Sequence, residues 1–151
     1  MILVSIDPNV KRMALAVWYN GKLGKTYYLR SDLKGKASTF EQLCSLGIEP
    51  DVIAVEIPQI YAGAVFKKKG LMKLGFYAGF ACGALYCPDH TDVVQYLPRE
   101  WAGQTPKEVR KPRVMKALTQ QEKDNIEWPP PSMVHDVIDC IAIGLHYLGR
   151  Y

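Results

Sequence analysis

The sequence predicts an α/β protein: one five-stranded mixed sheet with helices on both faces. Three observations point there. Short apolar runs of strand character come first, and longer helical stretches follow and alternate with further strands. An Asn20-Gly21 pair joins two of the early runs, and both residues tolerate the positive φ of a tight hairpin turn. The run DVIAVE is apolar throughout, as expected of a parallel strand buried on both faces.

The elements follow in order. ILVSI is a short strand that Asp7-Pro8 stops. MALAVWY and KLGKTYYLR flank the Asn20-Gly21 turn, so the start reads as a three-strand meander with the first strand central. A short helix covers residues 38–46, where Ser38 can cap it and Glu41 completes a capping box, and Gly47 ends it. DVIAVE is terminated by Pro58, and residues 59–69 form a loop that closes on three lysines. A long helix spans residues 70–86, DVVQYLP is a fifth strand, and residues 99–113 are basic and irregular, broken at Pro106 and Pro112. A helix covers residues 113–123, the triple proline Pro129 to Pro131 is a stiff connector, and Ser132 caps the last helix, SMVHDVIDCIAIGLHYL. With 151 residues, no internal repeat and no linker, the chain forms a single domain, residues 1–151.

Composition excludes several classes. Nearly half the residues are hydrophobic, which excludes a disordered chain. Cys44, Cys82, Cys87 and Cys140 form no C-x-x-C pair and have apolar neighbours, so they read as reduced, buried small hydrophobes of a cytosolic protein rather than a zinc or disulfide framework. Asp7 follows the apolar start too soon for a signal peptide, and LMKLGFYAGFACGALYC is short for a membrane span and carries Lys73, so it reads as a buried helix. A formal charge of +4 permits a polyanionic partner where the charge is clustered.

Four acids interrupt runs that otherwise read as core. Asp7 ends the first strand, Glu56 ends DVIAVE, and Asp136 and Asp139 lie three apart on one face of the last helix. Singly, each has an ordinary explanation: a turn residue before Pro8, a strand-end salt bridge, or, for Asp136, the positive end of the helix dipole. Asp139 is too far into the helix for that last account. Buried unpaired carboxylates are costly, and a hard divalent cation such as Mg²⁺ relieves the cost by taking oxygen ligands. The four together therefore point to a metal-dependent nuclease. His135 adjoins the pair as a helix-start residue. Basic residues cluster twice: Lys67, Lys68, Lys69 and Lys73, with Tyr61 and Phe66 nearby, and then Arg99, Lys107, Arg110, Lys111, Arg113 and Lys116. Such groups neutralise phosphates while aromatics stack on bases, although a solvated face explains the first cluster as well. Gly75, Gly79 and Gly83 form a side-chain-free stripe for close packing, within the fold or across a dimer.

On these residues the chain resembles the RuvC family of Holliday-junction resolvases, which have the RNase H-like fold. ILVSIDP resembles the family's opening strand with its first catalytic Asp, and VIAVE its second acidic strand. KLGFYAGFACGAL is similar to its glycine-rich dimer helix, and VVQYLPRE to its fifth strand and following loop. HDVIDCIAIGL is similar to its closing D-x-x-D-A-x-A-x-A helix. The resemblance implies an endonuclease of DNA recombination and repair that resolves four-way junctions in branched DNA by paired nicks, as a homodimer with no membrane association. It implies that Asp7, Glu56, Asp136 and Asp139 are the catalytic residues and hold two Mg²⁺ ions, with Mn²⁺ able to substitute. Lys111 would match a basic residue that helps the scissile phosphate. A cytoplasmic setting follows, in a bacterial cell or a phage-infected host. The chain departs from the pattern at Asn9, where the family has Gly, at Ala102, where it has Lys, and at Gln59, where an aromatic wedge is replaced and Tyr61 lies nearby. These departures bear on sequence preference and junction selectivity. The alternatives are another RNase H-like nuclease, acting on branched DNA or RNA–DNA hybrids, and a non-catalytic DNA-binding relative. A related ATPase needs a Gly-rich loop after the first strand, and PNVKRM is not one.

Overall fold

The structure is a computed structural model that describes residues 1–9, 12–30, 38–59 and 68–151, with backbone alone at 68 and 69. Strands β1 (Ile2–Asp7), β2 (Arg12–Tyr19) and β3 (Lys22–Arg30) form the meander, with Asn20 and Gly21 at φ 51° and 79°, as a hairpin turn of two left-handed residues requires. Strand β4 (Val52–Glu56) pairs parallel to β1, and β5 (Asp92–Tyr96) parallel to β4. The sheet order is β3-β2-β1-β4-β5, so β1 is central as expected.

Period-2 alternation sorts the sheet's side chains into two cores. Val4, Ile6, Leu15, Val17, Ile53 and Val55 pack on one side against helices α1 (Thr39–Ser45) and α2 (Lys68–Leu85) through Leu43, Ala78, Ala81 and Leu85. Leu3, Ala14, Ala16, Trp18, Val52 and Ala54 face the other side. They meet the short α3 (Pro98–Trp101), α4 (Lys107–Ala117) and the long α6 (Val134–Tyr147). Small residues on that face let α6 come close. A Cβ on Gly144 would run into the Trp18 indole, whose N–H instead donates to the buried Ser5 hydroxyl at 2.9 Å.

The Ser38–Glu41 capping box forms as the sequence predicts. Four other expectations are corrected. Pro112 does not break the chain: α4 runs through it from Lys107, with Pro106 at the N-cap, and a separate α5 (Gln120–Asp124) follows. A helix-interior proline costs about 3 kcal/mol, and buried Val114 with the contacts of Arg110 described below holds the helix against that cost. Ser132 does not cap α6, since a 3₁₀ turn over Pro131–Met133 precedes it and Met133 stands at the cap position without a side-chain capping bond. Cys44 is exposed; all four cysteines are free, and Cys140 is the fully buried one. Helix α2 is not a buried helix. Ala78, Ala81 and Leu85 face the core, but Met72 is 77% and Phe76 67% exposed. No helix of the described residues is long and apolar enough to cross a membrane.

Candidate active site

Asp7 and Glu56 share parity with the residues that face α6: Leu3 and Ser5 precede Asp7 in alternation, and Val52 and Ala54 precede Glu56. Because Ile6 pairs with Val55 across parallel strands, both carboxylates leave the same edge of adjacent strands and point to the same layer. Open parallel sheets gather their sites at this edge. Helix α6 lies across that layer with Asp136 and Asp139 on its first two turns. The structure thus brings together the four acids singled out in the sequence.

Their electrostatics set them apart from a structural acid. Burial, then repulsion by Glu56, Asp139 and Asp136, holds the Asp7 carboxyl well above the usual carboxylate range. Burial pushes Glu56 up to about 7, against the pull of the Trp101 N–H, and Asp139 adds to the rise. Burial also raises Asp136 and Asp139, opposed by Arg12 and by Arg110 respectively. Glu122 is the contrast. Burial alone would raise it, but the Arg150 guanidinium at 2.8 Å and the N–H groups of Leu23 and Thr119 hold it near 2, so it is a paired brace.

Two of the site acids have a neighbour that positions them. The Trp101 indole N–H donates to Glu56 at 2.9 Å. The Arg110 guanidinium donates to Asp139 at 2.7 Å and also lies over the Trp101 ring, 5.0 Å from its centroid. Lys107, the first residue of α4, offsets the charge of all four acids. Asp136 Oδ2 is buried with no hydrogen-bond partner among the described residues. Among the described residues, no three acidic, imidazole or thiol groups are close enough to grip one metal ion as they stand. The chemistry of the set nevertheless suits one. The donors are all carboxylate oxygens, burial raises the pKa of each despite Lys107, Arg110 and Arg12, and one oxygen is unsatisfied among the described residues.

The remaining candidates disperse. Arg110 is an inward-facing partner of Asp139, its side chain 12% exposed, rather than a surface cation. Lys111 turns away to lie 5.0 Å over the Trp128 ring, so Lys107, not Lys111, is the lysine facing the acids. Arg113 is exposed and stacks on Tyr151, Arg99 is exposed on α3, and His135 is exposed beside Asp136. Lys73 is exposed on α2, across the sheet from α6. Tyr61 and Lys67 lie outside the described residues, as do the side chains of Lys68 and Lys69. Sequence reasoning missed Trp101 as a Glu56 partner; a lone tryptophan after a strand-end Pro98 was its only signal.

Glu56 yields a test of this electrostatic reading. Its folded pKa, about 7, exceeds the unfolded 4.5, so ionisation destabilises the fold. The stability is complete below the unfolded value and is lost as pH rises through the folded one. Glu56→Gln is expected to be more stable than wild type at pH 8, by at most about 3 kcal/mol. That advantage should vanish as pH falls to the unfolded value. Urea unfolding of both proteins across this window checks it, and an advantage independent of pH would count against a burial-raised Glu56.

No protein-family model matches the chain, and no curated protein does. Solved structures do match. RuvC of Thermus thermophilus, in complex with a Holliday junction substrate, is 19% identical with a TM-score of 0.61, over 99% of this chain and 95% of that one. The fowlpox virus resolvase, in complex with its substrate Holliday junction DNA, is 20% identical with a TM-score of 0.58, over 99% and 97%. The fowlpox virus Holliday junction resolvase in another structure is 20% identical with a TM-score of 0.56, over 99% and 98%. The chain has the RNase H-like fold of these proteins, across nearly its whole length.

Proposed function

We propose that the chain is a Mg²⁺-dependent, structure-selective DNA endonuclease that resolves four-way junctions by paired symmetric nicks, as a homodimer. The observation that carries this is the meeting of four acids with raised carboxyl pKa values at the edge of two parallel strands. The structures of similar fold that contain Holliday junctions supply the substrate class.

Asp7, Glu56, Asp136 and Asp139 would hold the cations. Bound there, divalent ions activate water and stabilise the leaving oxygen of a phosphodiester. The chain's own residues prepare the rest. Trp101 fixes the Glu56 carboxylate by its indole N–H. Lys107 and Arg110 set positive charge beside the acids, where a phosphate would otherwise be repelled. The exposed Lys111, Arg113 and Lys116 add further cations along α4 that could meet the DNA backbone.

The outer face of α2 supports assembly. Met72, Phe76 and Phe80 are exposed there, and among the described residues nothing outside the helix lies within 4 Å of where a Cβ on Gly79 or Gly83 would stand. Among the described residues this is an apolar ridge beside a bare backbone stripe, a surface suited to close helix contact. A second copy related by a two-fold axis covers it and places two sites for two symmetric nicks.

An end-labelled synthetic four-way junction tests the function. Symmetric cuts near the crossover are expected with Mg²⁺, and none with a chelator. Binding should weaken steeply with salt, as expected when several basic side chains displace counterions. Equal or better cutting of an RNA–DNA hybrid would move the substrate to that class, and no cutting of either would end the nuclease reading.

A further inference from the structure

We propose that Trp128 is a stacking platform for a nucleobase next to the scissile phosphate. The proposal rests on the nuclease reading above and adds a positioning residue to it. An open groove of about 620 Å³ is lined by Lys111, Trp128, Pro129, Pro131, Val134 and His135. Val134 and His135 directly precede Asp136 on α6, so one end of the groove adjoins the carboxylates. His135 acts electrostatically on both Asp136 and Asp139.

Trp128 differs from the other two tryptophans of the chain. Trp18 and Trp101 are buried, and each indole N–H has an acceptor, Ser5 and Glu56 respectively. Trp128 is 42% exposed. A large aromatic left this open is not explained by the core. Its mount is stiff, because three prolines follow it and Pro130 is extended at φ −51° and ψ 149°. Lys111 Nζ lies 5.0 Å from the ring centroid. The groove therefore offers an exposed π ring with a cation over one face, which an incoming base would displace toward its own phosphate, at the mouth of a site read as cutting DNA. A nucleotide has the complementary pair, a base and a phosphate. Acidic peptides share the charge but lack a stacking face at each residue, so the occupant is a nucleotide of the cleaved strand.

The test uses the full chain and a four-way junction in chelator, where binding is read without cutting. Trp18 and Trp101 are buried, so acrylamide quenching of tryptophan emission reports mainly Trp128. The junction is expected to alter Trp128 emission and to shield it from acrylamide. Trp128→Ala should weaken junction binding about tenfold, the loss of one base stack, and Trp128→Phe should restore most of it. An abasic site is then placed at each nucleotide flanking the nick in turn. At one position wild type should lose the same factor, while Trp128→Ala is insensitive to the missing base. A purely structural role for Trp128 would not produce that coupling. A wild type that cuts the junction with Mg²⁺ while its Trp128 emission ignores saturating junction, or while no abasic position couples to Trp128→Ala, overturns the platform alone. A wild type that neither binds nor cuts the junction overturns the nuclease reading, and the platform with it.

Discussion

Asp7→Asn is expected to abolish junction cleavage, by about a thousandfold or more, while junction binding stays intact or tightens. Asparagine keeps the shape of the side chain at the end of β1 and removes its charge. That charge sits among Glu56, Asp139 and Asp136, each of which disfavours its ionisation. Neutralising it lessens the repulsion of an incoming phosphate. The same change removes a hard oxygen ligand from the centre of the set, so cation affinity falls. Gel assays of cutting and of binding separate the two effects. Thermal melting adds an independent readout. Mg²⁺ should raise the melting temperature of wild type, because a ligand that binds only the folded state stabilises it, and chelation should reverse the gain. Asp7→Asn should lose most of that gain, and without metal it should melt no lower than wild type. Near-normal cutting by Asp7→Asn would remove Asp7 from the site and end the four-acid reading.

Gly79→Leu is expected to convert a dimer into well-folded monomers that bind the junction weakly and nick one strand without paired resolution. The described residues leave room for the new side chain, since a Cβ at Gly79 meets none of them within 4 Å. Leucine also favours the helix over glycine by nearly 1 kcal/mol. Folding is therefore not the casualty. Across a close helix contact, overpacking costs about 1–3 kcal/mol, and a two-fold axis makes the change occur twice in each dimer. Sedimentation of both proteins, free and with junction, reads the outcome. A wild type that stays monomeric in both conditions would defeat the dimer, and symmetric resolution with it. A dimeric Gly79→Leu would move the interface off the Gly79 stripe.

The sequence by itself determined the sheet and the gathering of the acids. The Asn20-Gly21 hairpin, the continuously apolar β4 and the capping box at Ser38 are local signals, and each appears where the residues imply. Alternation along β1 and β4 settles which face Asp7 and Glu56 share, and helical spacing does the same for Asp136 and Asp139. What only the tertiary structure decided lies between elements far apart in the chain. Trp101 reaches Glu56 across 45 residues, and Arg110 reaches Asp139 across 29. No periodicity carries such pairings. Lys107 faces the acids and Lys111 faces Trp128 because α4 runs unbroken through Pro112, and packing of Val114 and Arg110 overrides the local penalty that made the segment read as irregular. The exposure of α2 has the same origin. Its composition reads as buried on every side, but among the described residues the sheet face buries Ala78, Ala81 and Leu85 and leaves Met72, Phe76 and the Gly79 stripe uncovered.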